Sequence, residues 1–191
     1  NWHYVSTIAS DPQVGPEGFR LPTLGLLPDG QLLSVMRNGD GAQPLWSTRS
    51  TDGGHTWEPL DRIDVDAGTV SLLVLADGTV LINGGSGKDN LEAYAQTTAI
   101  LFDPKTGEIR EVGDEAHSRL YHSTTVLLPD GTVLSSGGGS ADNAEKTYLD
   151  AQIYKPGYLF DETGAEAVRP VIEEAPKSVD PGEAFVITVD D

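Results

Sequence analysis

Tyr121 and His122 are the residues whose types and spacing most directly offer chemistry, a phenol beside an imidazole in the run Arg119-Leu120-Tyr121-His122-Ser123. Both groups hold and exchange protons. Neighbouring side chains on a regular strand point to opposite faces, so the two can serve one site only where a strand begins or bends. The residues alone leave a second reading open, in which the two form a packed, hydrogen-bonded pair.

The element that must position them follows at once. After Ser123-Thr124-Thr125 comes apolar Val126-Leu127-Leu128, broken by Pro129-Asp130-Gly131 and resumed by Val133-Leu134, and the stretch closes in Gly137-Gly138-Gly139. This reads as two antiparallel strands joined by a tight turn. The same hairpin occurs earlier, around Asp29-Gly30 in Leu26 to Leu33 and around Asp77-Gly78 in Leu73 to Leu81. The Asp-Gly pairs are spaced by 48 and 53 residues, a period suited to a propeller blade of four strands. With 22 Gly and 12 Pro in 191 residues, the chain is rich in turn formers and predicts many short strands.

Charge and composition narrow the partners. The net charge is −18, with 30 acidic and 12 basic residues; no segment forms a basic patch, which argues against nucleic acid and anionic membrane. No apolar stretch reaches the length of a membrane span. Cysteine is absent, excluding a disulfide, a thiolate metal site or a thiol nucleophile within these residues. The chain opens on Asn1 and stops at Asp191 as a strand is running, which leads to the expectation of a fragment or processed piece.

Four segments result. Residues 1–60 form a first unit, polar and turn-rich to Gly18, then Phe19-Arg20-Leu21-Pro22, the hairpin Leu24 to Met36, and a strand at Leu45 to Arg49. Ser50-Thr51-Asp52-Gly53-Gly54-His55-Thr56-Trp57 then matches the Asp-box pattern and resembles the blade-tip hairpins of sialidases. Its physics is structural: the Asp side chain ties down the N–H groups of its own turn and the Trp packs between strands. Residues 61–118 form a second unit with strands Val70 to Leu75, Thr79 to Asn83, Thr97 to Phe102 and Glu108 to Val112. Its Gly84-Gly85 and Asp103-Pro104 turn resemble a kelch blade. Residues 119–167 form a third, with Ala151 to Tyr154 as its third strand. From 168 to 191 the texture changes, and Val171 to Val179 and Pro181 to Val189 read as the opening strands of an immunoglobulin-like sandwich. The expected fold class is all-β: a partial β-propeller of three four-stranded kelch or Asp-box blades, then the first strands of that sandwich.

The run Arg119 to Ser123 with its hairpin and glycine triplet, continued by Asp150-Ala151-Gln152-Ile153-Tyr154-Lys155-Pro156-Gly157-Tyr158-Leu159-Phe160 and Arg169-Pro170, resembles the galactose oxidase and glyoxal oxidase family, the copper radical oxidases, over about residues 119–189. That family holds copper with two histidines and two tyrosines, one tyrosine thioether-linked to a cysteine as the radical cofactor. The resemblance implies Tyr121 as the axial phenolate, able to take the proton of a bound alcohol and so catalytic, and His122 as an equatorial imidazole; Cu(II) accepts such nitrogen and oxygen donors. Without cysteine the tyrosine–cysteine cofactor cannot form in this chain, the second histidine would lie beyond Asp191, and His3, His55 and His117 do not match its position. The implied function is part of an oxidase that turns an alcohol or aldehyde and O2 into product and H2O2, inactive as this chain alone and secreted in the manner of its family.

Two rival functions stay open. A sialidase-like glycoside hydrolase, implied by the Asp box and Phe19-Arg20-Leu21-Pro22, would use Arg20 to clamp a substrate carboxylate; Arg37 and Arg49 are further guanidiniums that the sequence does not place beside it. A non-catalytic propeller binding proteins or glycans needs no special residues. Three blades do not close a ring, and open edges imply self-association.

Overall fold

A computed structural model describes residues 2–11, 18–39, 43–66, 70–140 and 147–190. The turn-rich opening expected over 1–18 therefore falls partly outside the described residues. Contacts divide the chain into two compact units, residues 1–155 and 156–191.

Among the described residues the first unit contains three antiparallel sheets, each built in chain order. Strands β1 (Phe19–Leu26), β2 (Leu32–Asn38), β3 (Pro44–Ser50) and β4 (Asp61–Asp66) form the first sheet. The second comprises β5 (Ser71–Val74), β6 (Val80–Asn83), β7 (Thr98–Phe102) and β8 (Ile109–Asp114), and the third β9 (Thr124–Leu127), β10 (Val133–Ser136) and β11 (Ala151–Tyr154). The leading strands neighbour one another, β1 beside β5 and β5 beside β9, which is the arrangement of successive blades in a propeller. The molecule is all-β and forms a partial β-propeller.

Each Asp-Gly pair makes the expected hairpin turn. Asp29, Asp77 and Asp130 each accept, through Oδ1, the backbone N–H two residues on, all at 3.0 Å. The following glycines take φ of 85°, 84° and 78°, where any other residue type would be strained. Apolar alternation then decides the packing. Leu33, Val35, Leu45 and Ile63 of the first sheet are buried against Val80, Ile82 and Phe102 of the second. Between the second and third sheets the contact is more polar: Asn83 Nδ2 donates to Glu115 Oε1 at 3.0 Å and to Ser135 Oγ at 3.3 Å, and Thr125 Oγ1 donates to Asn83 Oδ1 at 3.1 Å.

One expectation is corrected here. The third sheet has three strands among the described residues rather than four. After β11 the chain meets Pro156, which has no N–H to give a ladder, and turns at Gly157–Leu159. In the second unit β12 (Ile172–Glu174) pairs antiparallel with β13 (Thr188–Val189). These are much shorter than the strands expected from Val171 to Val179 and Pro181 to Val189, and by themselves they do not define an immunoglobulin-like sandwich. Two such strands bury almost nothing, and Val171, Ile172, Phe185, Val186 and Val189 remain exposed.

Candidate metal centre

Tyr121 and His122 stand at the entry to β9, where regular strand geometry has not yet begun. They are the two central residues of a tight turn closed by Ser123 N–H donating to the Leu120 carbonyl at 3.0 Å. His122 takes φ of 65°, the left-handed region that such a turn assigns to its third residue and that usually falls to Gly or Asn. Holding an imidazole there costs on the order of 1–3 kcal/mol. The result is that strand alternation is broken and the two rings stack, centroids 3.8 Å apart with 29° between planes. Both side chains are exposed, Tyr121 by 60%.

The residues just before the pair are anchored below it. Arg119 is 1% exposed; its Nη1 donates to the Gly137 carbonyl at 2.8 Å and to Asp150 Oδ1 at 2.9 Å. The other carboxylate oxygen of Asp150 lies 2.6 Å from His117 Nδ1. The Arg119 guanidinium, hydrogen-bonded to Asp150, and then His117 hold the Asp150 carboxyl below the usual range. The His117 ring stacks on Tyr148 at 4.4 Å, and Ser118 Oγ donates to Glu92 Oε2 at 2.6 Å. From the second sheet, Gly85 N–H donates to the Arg119 carbonyl at 2.7 Å. That approach requires Gly84, at φ 67°, because a Cβ there would meet the Arg119 oxygen at 2.7 Å.

A phenol oxygen and an imidazole nitrogen brought to one side and open to solvent suit a metal that accepts mixed N and O donors. They are a partial set. Among the described residues no group of three or more His, Cys, Asp or Glu side chains is gathered as metal ligands, so copper would find two donors here, Tyr121 and His122. His3, His55 and His117 are not among them; His117 is committed to Asp150.

Arg20 lies elsewhere, on β1, as the direct register partner of Arg37 on β2. Arg49 opposes Leu33, four residues farther along β2 and so roughly 13 Å away. Two of the three guanidiniums are thus neighbours and the third is not. The Asp box folds as its chemistry dictates: Asp52 accepts from the His55 and Thr56 N–H groups at 2.9 and 2.8 Å and from the Thr56 hydroxyl at 2.7 Å. Trp57 Nε1 donates to Ser6 Oγ at 3.0 Å.

Sequence reasoning missed Asn90, His117 and Asp150. Asp150 had a weak signal, since it leads the stretch that resembles the oxidases; Asn90 lies in a polar loop with none.

No family model matches the chain. The galactose oxidase of Gibberella zeae is 33% identical over 121 residues, covering 62% of this chain and 18% of that enzyme. A fungal alcohol oxidase of the AA5 family, solved in complex with copper, superposes with a TM-score of 0.71 at 28% identity over 85% of this chain and 36% of that one. The chain is galactose oxidase-like. An aldehyde oxidase of Arabidopsis thaliana, 26% identical over 166 residues, covers 80% of this galactose oxidase-like chain and 25% of its own length. The chain therefore spans about a fifth to a quarter of the length of these two curated relatives. Among the described residues no helix is long and apolar enough to cross a membrane.

Proposed function

We propose that this chain is a portion of a copper radical oxidase of the galactose oxidase type, which oxidises the hydroxyl of a small alcohol or carbohydrate, or an aldehyde, with O2 as acceptor and H2O2 as the second product. The observation that carries it is the Tyr121–His122 turn: two side chains that a strand would separate lie stacked on one side. Bound copper would supply one-electron redox capacity and a Lewis-acidic anchor for a substrate oxygen.

The residues of this chain have defined tasks in that reading. His122 in its neutral form offers a ring nitrogen as ligand. Tyr121 offers its phenol oxygen both as a weak ligand and as the place where the hydroxyl proton of a substrate alcohol is received, as a general base. The Arg119–Asp150 pair and Gly84 hold the backbone from which both project. With one imidazole, one phenol and no cysteine in the described set, these residues do not turn over alone, and the remaining donors come from other parts of the oxidase. Secretion, the blade limits 1–60, 61–118 and 119–167 and a sandwich from 168 onward belong to the same proposal, on the strength of the family likeness. The test is Cu(II) affinity of the wild type against His122→Ala, together with H2O2 production from alcohols and aldehydes by an oxidase assembled with these residues. Equal affinity in the two proteins removes His122 from the site.

A further inference from the structure

The bridge between Tyr121 and Gly139 is an incomplete antiparallel pair. Residues in a hydrogen-bonded antiparallel pair exchange both N–H···O bonds. Here Gly139 N–H donates to the Tyr121 carbonyl at 3.0 Å, but the reciprocal bond has been replaced by two. Tyr121 N–H donates to Asn90 Oδ1 at 2.8 Å, and Asn90 Nδ2 donates to the Gly139 carbonyl at 2.8 Å. The primary amide of Asn90 is thus inserted into the ladder as a spacer, and it arrives from the second sheet, in the loop between β6 and β7. A further tie runs from Ser140 Oγ to the Asn90 carbonyl at 3.4 Å.

Backbone strain brackets this junction. Among the described residues three non-glycines take left-handed φ, and two of them are Asp89 at 51°, immediately before Asn90, and His122 at 65°, immediately after Tyr121. Such conformations persist where surrounding contacts over-determine them.

We propose that Asn90 is a positioning residue for the Tyr121–His122 pair: its side-chain amide holds the two chain segments apart and fixes the Tyr121 backbone so that phenol and imidazole share one side. The consequence for metal binding rests on the copper reading of that pair; the geometric role rests on the hydrogen bonds alone. The short primary amide meets both needs at once, an acceptor for Tyr121 N–H and a donor for the Gly139 carbonyl. Aspartate keeps the shape but sets a second acceptor against that carbonyl, and alanine removes both groups.

The test compares wild type, Asn90→Asp and Asn90→Ala as metal-free proteins by NMR. Stacked rings displace one another's ring-proton resonances upfield. The expected result is that both variants lose this displacement at His122 and Tyr121, and that Asn90→Ala, which lacks the acceptor, also loses exchange protection at the Tyr121 amide, while amides of β5 to β8 keep their wild-type positions. Undisplaced wild-type rings, or unchanged ring resonances in a folded variant, overturn the proposal; the near-isosteric Asn90→Asp serves if Asn90→Ala fails to fold. Cu(II) titration of the same proteins then reads the consequence, a loss of affinity of roughly 10- to 100-fold, as for other residues that orient ligands. Should the rings scatter while Cu(II) binding depends on neither Asn90 nor His122, the positioning role stands and the copper reading falls.

Discussion

Arg119 and Asp150 form an ion pair with unequal partners, Nη1 to Oδ1 at 2.9 Å, the arginine side chain 1% exposed and the aspartate 44%. Among the described residues Arg119 Nε and Nη2 are buried with no hydrogen-bond partner, and Asp150 is the carboxylate paired with this sealed positive charge. Removing one member of such a pair is harmful when the other cannot rehydrate. Asp150→Asn is therefore expected to lower the melting temperature more than Arg119→Met, because the first strands the buried guanidinium and the second leaves a carboxylate that reaches water. Thermal unfolding of the two variants at neutral pH checks the order, and the reverse order contradicts this assignment.

The Asp box gives a pH prediction. Hydrogen bonds from the Thr56 N–H, the Thr56 hydroxyl and Ser50 push the Asp52 carboxyl far below its ordinary value. A folded-state value below the unfolded one means that the stabilisation is present above the unfolded range, near pH 3.9, and is lost as pH falls through and below it. Asp52→Asn is expected to be less stable than wild type at pH 7, with the gap narrowing below about pH 4. Melting curves of both proteins from pH 7 to 3 decide it; a gap constant over that range contradicts the prediction.

Gly84 and Gly107 make a controlled comparison. Both take left-handed φ, 67° and 77°, but a Cβ at Gly84 meets the Arg119 oxygen at 2.7 Å and one at Gly107 meets nothing within 4 Å. Gly107→Ala should cost about 1–2 kcal/mol for backbone conformation alone. Gly84→Ala should add roughly 1–3 kcal/mol of overpacking. Urea unfolding of the two variants measures the difference; equal losses would show that the Gly84–Arg119 approach is not tight.

These contrasts follow what was and was not legible in the sequence. The hairpins at Asp29, Asp77 and Asp130 could be read because their chemistry is local: an aspartate capping its own turn, a glycine at positive φ, apolar strands on either side. The need for a bend at Tyr121–His122 could also be stated from strand alternation, and His122 meets it with its left-handed backbone. Asn90 bonded to Tyr121, and Arg119 to Asp150, could not be read. Each pair is separated by 31 residues in sequence, and each depends on how strands or sheets come together. Among the described residues the third sheet has three strands, the ladder ending where Pro156 brings no N–H, whereas the repeat period alone predicts four.

Copper binding tests the central claim most directly. The wild-type chain, titrated with Cu(II) and followed by electron paramagnetic resonance, is expected to show a nitrogen-ligated Cu(II) signal, with affinity at least roughly tenfold weaker after His122→Ala and a changed spectrum after Tyr121→Phe. Identical affinity and spectra in all three proteins would contradict the assignment of Tyr121 and His122 as a pair of copper donors.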